Sequence, residues 1–354
     1  MEIQKKTYLQ ALIQRAIQLA GSHEVILLTS NKEKTRNQAD YTGYSVKSEF
    51  FSQDEETVII NSLHNIGFSV RQFYNEEDFI AFASSEQQGI SNKIVINSAQ
   101  KGTKIGRKSL IPAVCDLLGI SYVGSNPYVV SLCRDKYRCG CILAQNKILV
   151  PDAWLYQPTK GWLQEPPASA GQLILKPNYE AASIGIDVSN ICSGSAVYEK
   201  ARQLESIYHQ EILAEKFITG YEVEVPVIAS GNATTAFFPV GIKLNNDKKM
   251  GKRILDYHLR GVDDYEYYDF TLENPMTAQS ALDVAVRTVQ VLNIKGFGRV
   301  DFRISENGDV YVTDIATNPH YTVRSSYEFL FKQMGLCYED MIACLIAASF
   351  EEEE

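Results

Sequence analysis

Apolar and polar positions follow two different periods along the first third of the chain. Residues 3–20 carry apolar side chains at the spacing of an amphipathic helix, which ends at Gly21. Residues 25–29 and 93–97 are short continuous apolar runs, typical of buried parallel strands. The same patterns predict a strand at 68–73, a strand and turn at 119–125, and helices at 54–66, 75–85 and 110–118. This alternation predicts a Rossmann-like α/β domain, although no G-x-G-x-x-G motif is present.

The pattern changes after residue 126, where strands become more frequent than helices. The predicted elements are a helix at 128–144, a loop at 157–171, a strand at 173–177, a helix at 195–206, strands at 212–218 and 222–228, and a hairpin with strands at 299–304 and 310–315. The hairpin prediction depends on the turn Asn307-Gly308, because Asn-Gly supplies the positive φ angles of a tight turn.

This C-terminal hairpin carries candidate metal chemistry. Asp301 and Asp314 lie one on each strand among apolar neighbours, so the hairpin can bring their carboxylates together. Adjacent carboxylates repel and need a cation or a shared proton, and Mg²⁺ held together with substrate phosphates meets that need. Arg299 shares a strand face with Asp301 and can hold a phosphoryl group. A surface hairpin with solvated acids is the alternative.

Three loops have the composition of ligand-binding segments. Lys176 ends a predicted strand and precedes N-Y-E-A-A-S-I-G-I-D, whose small side chains let backbone N–H groups approach a phosphate. Loop 101–108 places four basic residues before a helix, whose start favours anions; a plain basic surface loop is equally consistent. The loop that follows the first strand is either a solvated loop or a source of substrate contacts through Arg36, Asn37, Gln38 and Tyr44.

Composition limits the functional classes. A chain of 354 residues is expected to form two or three domains, and 45% hydrophobic with 22% charged residues is typical of a globular protein. The net charge of −9 argues against a nucleic-acid binder. No apolar run approaches the ~18 residues of a membrane span, and the N-terminus lacks a signal-peptide core. Seven scattered cysteines fit reduced thiols. We expect a cytoplasmic protein with no nucleic-acid or membrane partner, and a homodimer is a candidate assembly.

Taken in order, these segments resemble the ATP-grasp ligases, and within them the D-alanine–D-alanine ligase family, from about residue 111 to residue 346. The resemblance implies ATP and Mg²⁺ as cofactors. It implies that nucleotide is bound by Lys136, Lys176, the loop with Glu180, Ser183 and Gly185, the adenine-binding segment Glu215, Lys216, Phe217 and Ile218, and the ribose-binding acid Glu222. It assigns Asp301 and Asp314 to magnesium, and Arg299, Arg260 and Ser183 to phosphoryl transfer and catalysis.

The implied fold is a Rossmann-like N-terminal domain (1–125) followed by a two-part ATP-grasp fold. That fold consists of a small lid domain (126–214) and a larger catalytic domain (215–354) with an acidic tail. The implied chemistry joins a small-molecule carboxylate to an amine: the carboxylate attacks the γ-phosphate, and the amine then displaces phosphate from the acyl phosphate. The basic segment 245–268 is expected to be a moving cover that excludes water.

The chain departs from the family pattern at several positions. Where the family carries E-x-N, this chain has Asp314 and Ala316, and alanine offers no oxygen to a metal. Asn318 is a candidate replacement ligand. His320 stands where the family has a glycine of the oxyanion hole. Ser325 lies near the serine that holds the second amino acid. We therefore expect an amino acid or peptide-like substrate.

The N-terminal half also lacks the family's H-G-x-x-G-E loop and has the basic loop 101–108 in its place. D-alanine is therefore not expected as the first substrate, and Lys104 and Arg107 are candidates to bind an anionic acyl donor. Two functions remain open at this stage. One is an active carboxylate–amine ligase, and the other is a non-catalytic nucleotide-binding relative with a regulatory or scaffold role.

Overall fold

A computed structural model describes residues 2–35, 40–86, 90–262 and 264–350. The candidate contacts Arg36, Asn37 and Gln38 and the acidic tail 351–354 lie outside these ranges. No helix within them combines the length and the apolar character that crossing a membrane requires.

The N-terminal sheet is parallel, as the continuous apolar runs predict. Its strands, in the order β2-β1-β3-β4, are β1 Glu24–Leu28, β2 Ser69–Phe73, β3 Lys93–Asn97 and β4 Ser121–Tyr122. The helices around it are α1 Glu2–Ala20, α2 Gln53–Ile66, α3 Glu76–Ser85 and α4 Leu110–Leu118. Alternate residues of β1 enter two different apolar clusters, Leu27 with α1 and α2 and Leu28 with α3 and α4. Both faces of the sheet are therefore covered, which is the arrangement of a Rossmann-like domain.

A break at Asp135 divides the helix that the sequence predicts over 128–144. Two helices form instead, α5 Pro127–Arg134 and α6 Lys136–Gln145. Asp135 has a non-helical backbone and accepts a hydrogen bond from the Arg138 N–H, so it caps the start of α6. The prediction of one continuous helix was wrong. The apolar periodicity continues through Asp135, but aspartate is more stable as the cap of a helix than in a helix interior. The break places Lys136 at the first position of α6.

The second sheet has the strand order β6-β5-β9-β7-β8 and is covered by α7 Ala196–Tyr208. Its strands are β5 Ala153–Gln157, β6 Gly161–Trp162, β7 Leu173–Pro177, β8 Ile191–Cys192 and β9 Ile212–Lys216. The short strand β6 lies inside the stretch predicted as a loop. The domain boundary expected between residues 214 and 215 falls inside β9, which pairs with β5 and β7. We therefore propose that the small domain extends at least to Lys216.

The third sheet has seven strands in the described part of the chain, with the core order β14-β12-β10-β15-β16 and with β11 and β13 paired to β10. The strands are β10 Gly220–Ser230, β11 Ala233–Ala236, β12 Val240–Lys243, β13 Lys249–Gly251, β14 Glu266–Asp269, β15 Gly296–Ile304 and β16 Val310–Ala316. The helices are α8 Tyr257–Gly261, α9 Pro275–Leu292, α10 Ser326–Gln333 and α11 Tyr338–Ala347. The hairpin β15–β16 forms as predicted, and β10 pairs with the edge of β15 that faces away from β16.

The first and last helices pack against each other. Leu9 of α1 and Ile346 of α11 belong to one apolar cluster, which also contains Phe297 of β15. The cluster therefore joins the N-terminal sheet to the seven-stranded sheet, and helix α1 contributes to both regions.

Candidate active site

Three acidic side chains lie side by side across neighbouring strands. Asp301 of β15 is the register partner of Asp314 on β16 and of Glu224 on β10. Because strand side chains alternate between faces, Glu222, Arg299 and Ala316 belong to the same sheet face as these acids. All six residues line a single cavity of about 730 Å³ between the second and third sheets. Its walls are charged, and it is the centre of the candidate site.

Cations pair with these carboxylates directly. Arg299 donates two hydrogen bonds to Asp301, from Nε and Nη2, each at 2.7 Å. Lys136 Nζ lies 2.6 Å from an Asp314 carboxylate oxygen. Lys176 Nζ lies 2.6 Å from Glu215 on the neighbouring strand β9. The hairpin acids are therefore not solvated surface groups, and the surface-hairpin alternative does not describe this structure.

The two hairpin acids differ electrostatically. Burial and the neighbouring Glu224 and Asp314 carboxylates raise the pKa of Asp301 to about 6, although Arg299 opposes them. At Asp314 the cations Lys136 and Lys176 outweigh the effect of burial and hold the carboxyl pKa below its usual value. A cation bound between these acids would relieve the crowding of negative charge at Asp301.

The donor set fits magnesium that is shared with phosphates. Within the described ranges, no three His, Cys, Asp or Glu side chains are arranged as a complete metal site. Mg²⁺, however, is usually held by one or two carboxylates, several waters and substrate phosphates. Asp301 and Asp314 supply the two carboxylates, and Lys136 and Lys176 line the same cavity as phosphate partners.

The loop after β7 approaches the cavity with an unusual backbone. Ala182 and Ser183 have φ angles of 51° and 56°, and Gly185 has 75°. A Cβ at Gly185 would lie 2.7 Å from Pro177 and from the Tyr208 ring, so only glycine fits there. Ala182 and Ser183 line the cavity, whereas Gly185 shapes the turn behind it. The sequence prediction of a close backbone approach thus corresponds to a strained, tightly packed turn.

Segment 245–268 covers this loop. Ser183 Oγ donates to the Leu255 carbonyl at 2.8 Å, and the Tyr257 N–H donates to the Ile186 carbonyl at 3.2 Å. The same segment carries Arg260, whose Nε is buried and has no hydrogen-bond partner among the described residues. Burial opposes the charge of Arg260, but the Glu224 carboxylate outweighs it and raises the pKa of the guanidinium. Arg260 is therefore a cation whose Nε–H donor is unused, which suits the binding of a phosphate oxygen.

The nucleotide end of the cavity is apolar on one wall and acidic on the other. Ile174, Phe217 and Ile254 form a small apolar cluster, and the Arg303 guanidinium lies 5.6 Å from the centre of the Phe217 ring. The residues of the expected adenine and ribose segment that line the cavity are Glu215, Lys216, Phe217, Ile218 and Glu222. Lys216 and Phe217 use their backbone N–H groups on Asp152 and Gln172, so adenine recognition through those two N–H groups is not available.

The predicted substrate residues His320 and Ser325 both line the cavity. His320 is accessible from the cavity, and desolvation by the cavity walls, together with the nearby cations Lys108 and Arg260, lowers the pKa of its ring. Ser325 caps α10 by accepting from the Glu328 N–H, and it donates to the Thr322 carbonyl at 2.8 Å. Asn318 also lines the cavity, but its amide nitrogen donates to the Asn97 carbonyl in the N-terminal domain at 2.8 Å.

Of the four basic residues of loop 101–108, only Lys108 lines the cavity. Neither Lys104 nor Arg107 is among the described residues that line it. Arg107 is buried and donates to Glu180 at 2.8 Å, and it also lies 3.4 Å from Glu49. Lys108 pairs with Glu49 as well, and Lys101 pairs with Glu77. Arg107 and Lys108 pair with acids that lie more than 50 residues away in sequence, which no local pattern reveals.

Two functional candidates escaped the sequence analysis. Glu49 accepts from Arg107, Lys108 and Arg134, and these cations hold its carboxyl pKa well below the usual value despite burial. Glu224 lies at one end of the acidic row, which it forms with Asp301 and Asp314 across β10, β15 and β16. The sequence did contain a signal for Glu224. It lies two residues after Glu222 on a strand whose other buried residues are apolar.

Comparison with known proteins identifies the class. Residues 150–347, just over half of the chain, match the family described as "D-ala D-ala ligase C-terminus". The D-alanine–D-alanine ligase of Bordetella pertussis is 29% identical over 246 residues, covering 69% of this chain and 75% of that protein. The enzyme of Neisseria gonorrhoeae is 27% identical over 312 residues, covering 87% and 95%.

Solved structures show the same fold. The Bacillus anthracis D-alanine–D-alanine ligase complexed with ATP superposes with a TM-score of 0.69 at 17% identity, covering 92% of this chain and 97% of that one. The VanG D-Ala:D-Ser ligase of Enterococcus faecalis gives a TM-score of 0.63 at 15% identity, covering 93% and 100%.

Fold and site together define an ATP-grasp protein with a Rossmann-like N-terminal domain, as the sequence analysis expected. The chain belongs to the D-alanine–D-alanine ligase family. Membership of this family supports an ATP-dependent ligase activity, with ATP and Mg²⁺ as the cofactors.

Proposed function

We propose that this protein is a carboxylate–amine ligase that forms an amide bond through an acyl phosphate, with an amino acid or peptide-like substrate rather than two D-alanines. The observation that carries the proposal is the convergence of Lys136, Lys176, Arg260, Arg299 and the paired acids Asp301 and Asp314 on one cavity. Phosphoryl transfer needs positioning and charge neutralisation above all, and these side chains provide both.

Each group has a role that follows from its place. Lys136 and Lys176 bind phosphate oxygens, and Arg260 and Arg299 donate to the phosphoryl group as it passes to the substrate carboxylate. Asp301 and Asp314 would hold magnesium, which would neutralise phosphate charge. The cover segment, fastened to the phosphate loop through Ser183 and Tyr257, keeps water from the acyl phosphate until an amine attacks.

The substrate end of the cavity supports a zwitterionic or peptide-like substrate more than a strongly anionic one. Arg107 is neutralised and lies outside the cavity lining, so it adds no charge for a carboxylate-rich donor. The lining there mixes the acids Glu49 and Glu55 with the bases Lys32, Lys47, Lys108 and Arg324. A mixed set of charges suits a molecule that carries both an amine and a carboxylate.

The alternative function is non-catalytic nucleotide binding, and Ala316 is the observation that favours it. The side chain at 316 lies in the cavity beside Arg299 but supplies no metal ligand. A protein with this defect can still bind nucleotide through Lys176 and Glu222. Only turnover separates the two functions.

The experiment is a screen for ADP formation with ATP, Mg²⁺ and pooled carboxylates and amines. We expect ADP release that requires one acid and one amine. Lys176→Met should weaken nucleotide affinity by roughly ten- to a hundredfold, since it removes a charge-assisted contact of about 1.5–3 kcal/mol. Lys200→Met, which changes a lysine bound to Ser189 Oγ on the outside of the small domain, should leave the affinity unchanged. Tight nucleotide binding without turnover on any pool would favour the non-catalytic alternative.

A further inference from the structure

Glu224 is a buried carboxylate that the proposed chemistry does not use. It is 2% exposed and lines the cavity at the phosphoryl-transfer end. Its Oε2 has no hydrogen-bond partner in the part of the chain that the structure describes. A buried, incompletely satisfied carboxylate costs free energy, so its presence among the buried residues of β10 calls for a function.

Arg299 lies between Glu224 and Asp301. Its Nε and Nη2 donate to both oxygens of Asp301, while Nη1 lies 3.5 Å from Glu224 Oε2. The guanidinium therefore makes a full bidentate pair on one side and a longer ion pair on the other. A rotation that shortens the second contact lengthens the first, because the fork of a guanidinium is rigid.

Asp301 is a candidate partner for two different cations. It is the bidentate partner of Arg299, and it is one of the two carboxylates that fit magnesium. A guanidinium that covers both carboxylate oxygens neutralises the charge that a metal needs, so the two cations compete for Asp301. Metal binding becomes easier if Arg299 has a second carboxylate to turn to.

We propose that Glu224 is a positioning residue that accepts Arg299 when Asp301 binds magnesium, and that it holds the guanidinium where the phosphoryl group is transferred. The inference rests on the proposed function for the nucleotide and the metal. It makes the acidic row a two-position switch for Arg299, with Asp301 as the partner in the absence of metal and Glu224 as the partner in its presence. The Glu224 carboxylate also attracts Arg260, which lines the same cavity, so its charge favours both arginines at this end.

A different role for Glu224 would be direct coordination of the metal as a third carboxylate. Both roles predict that Glu224→Gln weakens metal binding. They differ in whether the effect needs Arg299: a positioning residue acts through the arginine, whereas a metal ligand or a simple electrostatic effect does not. A double-mutant cycle separates them.

The measurement is Mn²⁺ affinity, by electron paramagnetic resonance of free Mn²⁺, in the presence of a non-hydrolysable ATP analogue. No turnover is needed. Glu224→Gln should weaken Mn²⁺ binding by about tenfold, the loss of one charge-assisted contact. Glu266→Gln is the matched control, because Glu266 pairs with Lys243 at 2.9 Å on the same sheet but its side chain is 66% exposed. This control should leave Mn²⁺ affinity unchanged.

The decisive arm repeats Glu224→Gln in an Arg299→Gln background, where the effect on Mn²⁺ affinity should disappear. Circular dichroism checks that each variant is folded. Should Arg299→Gln fail to fold, Arg299→Lys replaces it, since an ammonium cannot form the bidentate pair, and the Glu224→Gln effect should again shrink.

Equal weakening in both backgrounds would overturn the inference in favour of a third ligand. No weakening in the wild-type background would also overturn it. In both cases the proposed function stands. A wild-type protein that binds no Mn²⁺ with nucleotide would overturn both.

Discussion

Ala316 lines the cavity beside the metal-binding candidates but carries no polar group. It is the register partner of Arg299 and lies two positions along β16 from Asp314, so both side chains face the cavity. An oxygen at this position would face the metal site beside Asp314. Its absence is locally inconsistent with the cations and acids that surround it, and such inconsistencies tend to mark a change of function.

Restoring an oxygen at this position should strengthen catalysis. Ala316→Asn supplies an amide oxygen to the shell that Mg²⁺ requires. We expect the turnover rate at saturating ATP to rise by about tenfold, which corresponds to ~1.4 kcal/mol of transition-state stabilisation. The Mg²⁺ concentration for half-maximal rate should fall. Steady-state kinetics over a magnesium titration measures both.

The matched control is Ala316→Val, which fills similar space and suits a strand but offers no oxygen. It should give neither effect. If Ala316→Asn behaves like Ala316→Val, the metal shell is already complete, and Asn318 becomes the next residue to test.

Loop 101–108 is the element whose role differs most between sequence and structure. Arg107, Glu49, Glu180 and Arg134 form a buried ionic cluster that joins the N-terminal domain, the phosphate loop and α5. Tyr41 adds a hydrogen bond to Glu180 at 2.9 Å. The cluster holds the start of the phosphate loop from behind, so the loop's basic residues act on the fold around the site.

Charge reversal should therefore affect folding more than substrate binding. Arg107→Glu would place a third carboxylate beside Glu49 and Glu180, so we expect a loss of about 3–5 kcal/mol in the free energy of unfolding, as for other broken buried pairs. Lys104→Glu changes an exposed residue of the same loop and should alter it by less than about 0.5 kcal/mol. Urea denaturation measures both. A stable Arg107→Glu protein with a raised Michaelis constant for its acid substrate would instead restore the direct substrate role.

The pH dependence of the free energy of unfolding is a property of the whole molecule. At acidic pH, carboxylates with lowered pKa values contribute to it. Burial raises the pKa of Glu211, but hydrogen bonds from Arg138, Gln157 and Tyr179 outweigh it and bring the pKa to about 2. Glu49 is shifted in the same direction by Arg134 and Lys108. Because folded-state pKa values lie below the unfolded value of about 4.3, these groups stabilise the protein above that pH and lose their contribution as the pH falls towards 2.

The free energy of unfolding should accordingly fall between about pH 4.5 and pH 2. Glu211→Gln removes one of the responsible groups, so its curve should be flatter over this interval than that of the wild type. Glu266→Gln, at an exposed carboxylate on another sheet, should follow the wild-type curve more closely. Urea titrations at a series of pH values supply the measurement. Identical slopes for wild type and Glu211→Gln would contradict the assignment.

The sequence by itself determined the features that depend on neighbours in the chain. Strand periodicity and Asn307-Gly308 defined the hairpin, and apolar runs defined the parallel sheet, because both are encoded within a few residues. The order of the motifs was enough to recognise the family, since each motif occupies a short segment. Lys136 and Lys176, which the resemblance assigned to nucleotide binding, lie in the same cavity as the hairpin acids.

Only the tertiary structure decided which charges meet. Arg107 is neutralised by Glu180, which is 73 residues away, so a residue that is basic in sequence carries no unpaired charge in the folded protein. Glu224 enters the acidic row because β10 pairs with β15, and its register partner Asp301 lies far along the chain. Ionic partners are selected by proximity after folding, and Coulomb interactions have no sequence period. That is why the pattern of the chain predicted the elements and the family, while the sharing of Arg299 between two carboxylates became visible only in the assembled sheet.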